Sequence, residues 1–274
     1  MRLASALTCC LAVAAGCDTA SQPETLPAAP LTAFRCSASD LPALGGLDSV
    51  TLSGTSRITS SDWTFDVFTN GKLGVGGEVY VGGGLYSASG SIAMRAGAQI
   101  LGDLVESGPE IPAYVPETEA EYVERNSHNA QIGLTAGGNT PLVSGKLTLS
   151  GADALQFPHY FYDVDGISLS GGSQVSLSYT VTYVFVDGAI EISGGSSIGT
   201  SSARHLLIVS LSDEPIVISG ASTSVLARIY APLAPIQITD GARVEGAVVG
   251  ATLQMSGDST VEVTQDGLHI WYPC

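Results

Sequence analysis

Charged side chains and aromatic rings are both scarce in this chain of 274 residues. Asp, Glu, Lys and Arg make up 13% of the sequence, about half the share found in an ordinary soluble domain, and 7% of the residues are aromatic. Positive charge is especially scarce, with 10 Lys and Arg against 26 Asp and Glu and a formal net charge of -16. This balance excludes nucleic acid and an anionic membrane surface as partners bound by charge, because both require a basic face.

Glycine is abundant, with 33 residues, and it occurs together with many Ser, Thr, Val and Ile residues. Glycine and β-branched residues are poor helix formers, whereas β-branched residues fit well in strands. The composition therefore excludes a helical bundle and favours an all-β fold. The length allows one or two domains and a large buried core.

The first residues have the pattern of an export signal. Arg2 precedes an apolar stretch over residues 3–15 that is too short to span a bilayer. The stretch ends in Ala-Gly-Cys at residues 15–17, which resembles the bacterial lipoprotein signal, in which the Cys carries the lipid. We therefore predict a signal peptide over residues 1–16 and lipidation of Cys17. Residues 12–14 (AVA) also fit an ordinary secretory signal, which is the alternative.

The cysteine count favours the lipoprotein interpretation. Of the five cysteines, Cys9 and Cys10 leave with the signal and lipidation uses Cys17, so Cys36 and Cys274 remain as a pair in an oxidising compartment. We predict that these two form a disulfide; two separate thiols are the alternative. If the two halves of the body stack in chain order, residues 36–47 must span about 40 Å, which an extended chain of that length just reaches. A different stacking order would remove this objection.

The body carries an internal repeat of a hydrophobic residue, any residue, a hydrophobic residue, Ser or Thr, and Gly. From Gly151 onward its glycines are spaced 20, 23, 26, 21 and 16 residues apart, and periods near 20 residues with alternating apolar positions are typical of a solenoid. We predict a parallel β-helix with three short strands per coil. Alternation places Ile192 in the core and predicts one outward column on successive coils: Thr148, Ser168, Glu191, Val217, Gln237 and Gln254.

The chain divides around this repeat. We predict a tether over residues 17–48, N-terminal coils over 49–107, an acidic insertion over 108–141 with a short helix at 119–126, and C-terminal coils over 142–274. Residues 72–103 advance in steps of six or seven, which resembles left-handed β-helices, but the wider spacing of the second half favours a right-handed one. Trp271 and Tyr272 are expected to cover the last coil. Residues 156–165 are expected to form an aromatic-rich loop, with a ligand platform as the alternative.

Catalytic and metal-binding patterns are weak. The outward column contains one acidic residue, whereas polysaccharide-acting sites need several carboxylates together. We expect Asp163 and Asp165 to form a solvated pair in a loop, and the four histidines lie far apart in the sequence. The sequence contains no G-x-S-x-G, phosphate-binding loop or H-E-x-x-H motif. We therefore predict a protein that is not an enzyme and that has no metal or other cofactor.

Several segments together resemble a bacterial envelope β-solenoid family of unknown function, whose members often form the C-terminal module of type IV pilus-associated, PilX-like proteins. The segments are residues 183–188 (YVFVDG), 190–194 (IEISG), 206–209 (LLIV), 229–232 (IYAP) and 246–250 (GAVVG), with 50–54 (VTLSG) and 100–102 (ILG) in the first half. The resemblance covers most of residues 49–267 and implies an envelope β-helix without catalytic residues. This chain lacks the pilin-like helix of pilus-associated members and carries the lipoprotein-like signal in its place.

The leading hypothesis is a noncatalytic, lipid-anchored envelope protein whose β-helix serves as a surface scaffold or adhesion module. The partners expected are the membrane, through the lipid, and an envelope protein or a glycan. The outer membrane or the cell surface is favoured over the inner membrane. The alternatives are a β-helix that binds or cleaves polysaccharide, and a bactofilin-like polymer built by end-to-end stacking, since solenoid ends are open β-edges.

Overall fold

The computed structural model describes residues 43–60, 65–111, 113, 115, 117–135 and 141–264. The predicted signal peptide, Cys17, Cys36 and Cys274 therefore lie outside the described residues. The first half of the described chain contains nine strands: β1 (Leu44–Leu52), β2 (Arg57–Ser60), β3 (Asp66–Thr69), β4 (Lys72–Val75), β5 (Tyr80–Val81), β6 (Gly84–Ser87), β7 (Ser91–Met94), β8 (Gln99–Ile100) and β9 (Leu104–Val105).

Two short helices, α1 (Glu117–Arg125) and α2 (Asn129–Thr135), follow β9. No helix in the described part of the chain is long and apolar enough to cross a membrane. The second half returns to strands: β10 (Leu142–Val143), β11 (Lys146–Leu149), β12 (Ala154–Phe157), β13 (Phe161–Val164), β14 (Gly166–Leu169), β15 (Gln174–Leu177), β16 (Thr182–Val186), β17 (Ile190–Ile192), β18 (Ser197–Ile198), β19 (Leu206–Ser210), β20 (Ile216–Ser219), β21 (Ser224–Leu226), β22 (Arg228–Thr239), β23 (Arg243–Glu245), β24 (Val248–Met255) and β25 (Thr260–Val263).

These strands wind into a solenoid with three faces, and each face is a sheet of nine parallel strands. The long strands β1, β22 and β24 bend from face 1 to face 2, and β1 and β24 show a register shift at the bend. Face 1 contains β13, β16, β19, β22, β24, β1, β3, β6 and β9; face 2 contains β11, β14, β17, β20, β22, β24, β1, β4 and β7; face 3 contains β12, β15, β18, β21, β23, β25, β2, β5 and β8. The predicted all-β parallel β-helix with three strands per coil is confirmed.

The repeat places its apolar residues in the core, as expected. Ile192 and Ile218 are fully buried, and they pair in register on neighbouring strands of face 2. Each step of six or seven residues in the first half corresponds to one face of a coil. The Ser-Gly corners need glycine because a side chain would clash: Gly54 has φ +70°, and a Cβ there would lie 2.8 Å from the backbone N of Gly257 in the next coil.

The two halves do not stack in chain order. Strand β1, the first of the described chain, pairs with β24 near its C-terminal end, and β2 pairs with β25. The coils of the first half therefore continue the stack beyond the last coil of the second half. On face 2 the stack runs from β11 to β7, while the first and last strands of the described chain, β1 and β25, lie in its middle.

The register shows how closely the two halves join. On neighbouring coils Glu245 pairs with Glu262, and Val248 pairs with Leu44. In one coil, residues 246 and 247 connect Glu245 to Val248. In the neighbouring coil Val263 follows Glu262 and Ala43 precedes Leu44, so Val263 and Ala43 stack on the adjacent residues 246 and 247. The backbone N–H of Val248 also donates to the carbonyl of Ala43 at 2.8 Å. The described chain therefore enters and leaves the solenoid at one corner.

Several boundaries differ from the sequence prediction. The solenoid begins at Leu44 rather than at residue 49, because residues 44–47 are buried on face 1. The helix predicted at 119–126 is α1, over Glu117–Arg125, and α2 was not predicted. The expectation of a loop over residues 156–165 was wrong, because β12 ends there and β13 follows, with Leu155 and Val164 facing the core.

The C-terminal aromatic residues were expected to cover an exposed last coil. Trp271 and Tyr272 lie outside the described residues. The last coil in chain order is not an end of the stack, because β25 lies between β23 and β2 and β24 lies between β22 and β1.

Because the described chain enters and leaves the solenoid at one corner, we predict that Cys36 and Cys274 form a disulfide. Cys36 lies 7 residues before Ala43 and Cys274 lies 11 residues after Val263, so the two segments start side by side and need not span the stack. Closing so long a loop stabilises a fold by up to about 5 kcal/mol in the chain-entropy model. We expect non-reducing peptide mapping of envelope material to recover the Cys36–Cys274 cross-link, and Cys36→Ser to lower the unfolding temperature. Recovery of both cysteines as alkylated thiols would refute this.

Candidate functional site: an exposed ring cluster and an acidic group

Face 1 is covered by the segment between β9 and β10, which we call the strap (residues 106–135). Near β6 the Tyr86 hydroxyl donates to the carbonyl of Pro109 at 2.8 Å, and the Asn70 side chain makes two hydrogen bonds of 2.8 Å with the backbone of Ile111. At the other end of the stack α1 packs against β13. Beneath the strap lies a buried outer cluster of mostly apolar side chains on face 1: Leu47, Phe185, Leu207, Val209, Tyr230, Ala247 and Val249, joined by Val123 of α1.

Faces 2 and 3 remain open among the described residues. The column predicted to point outward on face 2 does so: its six members pair in register from strand to strand, none is buried, and Thr51 extends the column across the junction. Neighbouring members are separated by the strand spacing of about 4.8 Å. Glu191 is its one charged member and Val217 its one apolar member, so the column is a nearly neutral surface made mostly of hydroxyl and amide groups.

Face 3 carries more charge. Arg243 forms ion pairs with Glu262 on the next strand and with Glu245 at 3.7 Å, and the guanidinium carbon of Arg57 lies 4.9 Å from the ring centre of Tyr80. The Arg243–Glu262 and Arg57–Tyr80 pairs link neighbouring strands, whereas Arg243 and Glu245 lie on the same strand, and the ion pairs are partly exposed to solvent. Each therefore adds little stability, and we treat them as surface features of the scaffold.

The corner between faces 3 and 1 holds four rings that we call the ring cluster: His128, His159, Tyr160 and Tyr179. Tyr160 and Tyr179 come from consecutive coils, have ring centres 4.3 Å apart, and are 40% and 36% exposed. His159 lies 6.0 Å from Tyr179 and stacks on His128 of the strap at 4.4 Å. His128 and His159 are far apart in the sequence, but the strap brings them into contact.

Buried aromatics hold the ring cluster in place. Phe157 and Tyr162 stack in the core with ring centres 4.3 Å apart. The Tyr162 hydroxyl accepts a 2.8 Å hydrogen bond from the backbone N–H of His159, and the backbone N–H of His128 donates to the carbonyl of Phe161 at 2.9 Å. Burial, followed by the charge of His159, lowers the pKa of His128. His159, Tyr160 and Tyr179 are therefore held by the first coils, and His128 is held against them by the strap.

Four carboxylates are electrostatically coupled on face 1 and at its corner with face 2, and we call them the acidic group: Glu124, Asp163, Asp165 and Asp187. Burial, together with the charges of Asp187, Glu124 and Asp165, raises the pKa of Asp163 to about 6. Burial, then Asp165 and Glu124, also raises the pKa of Asp187. Asp163 lies in β13 and is half-buried, so it is not the solvated loop residue that we expected. Among the residues that the structure describes, no group of three or more His, Cys, Asp or Glu side chains is arranged to hold a metal ion.

Comparisons with known proteins found a family match and similar solved structures. Residues 163–267, less than half of the chain, match a family described as a domain of unknown function, DUF7305. Two solved structures are similar, each at 16% identity: an ice-binding protein from an Antarctic bacterium, Flavobacteriaceae (TM-score 0.44), and one from the Antarctic ascomycete Antarctomyces psychrotrophicus (TM-score 0.34).

The bacterial match covers 81% of this chain and 45% of the other, so this chain spans less than half of that protein. The fungal match covers 82% of this chain and 95% of the other. No curated protein matches the chain.

The acidic group predicts a pH dependence of stability. The pKa of Asp163 is about 6 in the folded protein, above its ordinary value of 3.8, so between these values the folded state keeps a proton that the unfolded state has lost. The contribution of the Asp163 carboxyl to the free energy of unfolding is therefore greatest below pH 4 and falls as the pH rises to 6. We expect Asp163→Asn to melt higher than the wild type above pH 6, and this gain to shrink towards pH 4.

Melting curves between pH 4 and 8 test this prediction. Asp213→Asn, at an exposed position, is the control and should keep the wild-type pH profile. An Asp163→Asn variant whose melting temperature follows the wild type throughout this range would contradict the placement of Asp163.

Proposed function

We propose that this protein is a noncatalytic adhesion scaffold of the cell envelope, anchored by a lipid on Cys17, whose solenoid presents a glycan-binding surface at the ring cluster. The observation that supports this most directly is the pair of adjoining, exposed tyrosines on consecutive coils, with ring centres 4.3 Å apart. The coils beneath them are rigid β-structure, so the binding surface is formed before the ligand arrives and little ordering is needed on binding.

The chemistry of the ring cluster suits a sugar. Tyrosine offers a large apolar face together with a polar hydroxyl, which is why it is favoured at binding surfaces. The C–H face of a pyranose can stack on such a ring, while the tyrosine hydroxyl can bond the hydroxyl groups of the sugar. The formal net charge of -16 disfavours a strongly acidic glycan, so a neutral or basic sugar is the expected ligand.

The anchor rests on the signal sequence. A lipid on Cys17 would leave residues 18–42 between the membrane and the first described residue, with the outer membrane or cell surface as the favoured location. Protein extracted from membranes should have an intact mass that starts at Cys17 with acyl chains added. More than one chain is needed for stable attachment.

A second candidate function is polysaccharide cleavage, and one observation favours it. Asp163, with a pKa of about 6 beside three further carboxylates, resembles the pairing of a protonated and an ionised carboxyl that glycoside hydrolases use. Binding without release of shorter products supports the adhesion proposal. Release of products that stops in Asp163→Asn, while binding persists, supports cleavage.

A glycan panel tests the proposal on the full-length, detergent-extracted protein. Tyr160→Ala/Tyr179→Ala should weaken saturable binding roughly tenfold, since two stacking contacts of about 0.5–1.5 kcal/mol each are lost. Tyr80→Ala is the matched control, because it removes a tyrosine from face 3 far along the stack, and it should bind like the wild type. The proposal fails if the wild type binds no glycan saturably, or if the control loses as much affinity as the double variant.

A further inference from the structure

The two ends of the solenoid differ in how far their outer strand edges and core are covered. At the β11 end β10 pairs antiparallel with β11, and α2 packs against β10, β12 and β13. Strand β13 has its edge groups bonded by the strap, because His128 N–H donates to the carbonyl of Phe161 and the Asn129 side chain bonds the backbone of Asp163. Ile132 of α2 is fully buried in the main core. This end is capped, and we call it the capped end.

The other end, residues 91–105 with strands β7, β8 and β9, has no such cover among the described residues, and we call it the open end. No described strand pairs with its outer edges. Core-facing positions are exposed there: Met94 is 42% exposed, although its partner Val75 in the coil beneath is 2% exposed, and Leu104 is 49% exposed above Leu85 at 0%. Leu101 and Val105 add further exposed apolar surface.

We propose that the open end is the interface of a two-fold symmetric dimer, formed with the open end of a second copy of this chain. An uncovered apolar core and three rows of unpaired backbone groups are the features that associating β-edges bury. Head-to-tail stacking into a polymer needs a free edge at both ends, and the capped end offers none among the described residues. Two open ends facing each other close the assembly at two copies.

The charges at the open end suit this pairing. Arg95 and Asp103 are both exposed and lie four residues to either side of Gln99 in β8. If β8 pairs antiparallel with its copy about Gln99, Arg95 of each chain lies opposite Asp103 of the other. Two ion pairs then form across the two-fold axis, and they set the register of the strands.

The size of the surface is also sufficient. In the terminal coil and the first residues of the strap, 91–110, every residue except Ser91, Ile92, Ala98 and Ile100 is exposed. A standard protein interface uses roughly 20–30 residues on each side, so the open end supplies about the area that a stable dimer needs. The residues of the ring cluster belong to the capped end, and a dimer of this form would therefore display two ring clusters at its far ends.

Native mass spectrometry of the full-length protein in detergent, with a dilution series, tests the dimer. The wild type should appear as two chains. Arg95→Asp should weaken the dimer roughly tenfold or more, because it places Asp opposite Asp103 twice. Asp103→Arg should also weaken the dimer, and Arg95→Asp/Asp103→Arg should restore it.

The apolar contact is tested separately. Leu104→Asp should dissociate the dimer, whereas Leu233→Asp, at an exposed apolar position away from the open end, should leave the dimer intact.

Other results would overturn the proposal. A wild type that is monomeric at all concentrations, or that forms chains longer than two, contradicts a closed dimer. A dimer that is unaffected by the single charge reversals and by Leu104→Asp uses another surface. A monomer that becomes a dimer only after residues 265–274 are removed would show that this segment, rather than a second copy, occupies the open end.

Discussion

Every strand of a parallel solenoid needs a neighbour on each side, because its backbone N–H and C=O groups must be hydrogen-bonded wherever water is excluded. In this protein the requirement is met between strands that are far apart in the sequence, β1 and β2 on one side and β24 and β25 on the other. The junction of β24 and β25 with β1 and β2 keeps the register of the neighbouring coils, so that Val50 and Leu52 continue the core column of Leu253 and Met255. The unbroken core of the body depends on this junction.

The remaining features follow from the order of stacking. Because the first half ends at the open end and the second half begins at the capped end, the chain must return along the whole stack between β9 and β11. The strap makes that return over face 1, which explains why the outward side of that face is apolar and buried. The same path leaves faces 2 and 3 open and carries His128 to His159. The return of the strap over face 1 therefore explains both the covering of that face and the contact of His128 with His159.

Local features of the fold could be predicted from the sequence, whereas its long-range order could not. Alternation and Ser-Gly corners act within a few residues, so the inward Ile192 and the outward Gln237 were assigned correctly. The pairing of Val50 with Leu253 joins residues about 200 positions apart, and the repeat has the same pattern in every coil, so no sequence signal selects one neighbour over another. The raised pKa of Asp163 also depends on long-range order, because its main cause is burial and because Asp187 and Glu124, which are distant in the sequence, add their charges.

The stacking order is tested most directly by a distance between spin labels at Ala93 and Thr148, measured by double electron–electron resonance in a Cys36→Ser/Cys274→Ser background. These residues lie outward on β7 and β11, the first and last strands of face 2. Eight strand spacings separate them, so the account predicts about 40 Å. Labels at Thr51 and Gln254, which pair across the junction, should be in close contact. A short distance between Ala93 and Thr148, as stacking in chain order requires, would contradict the account.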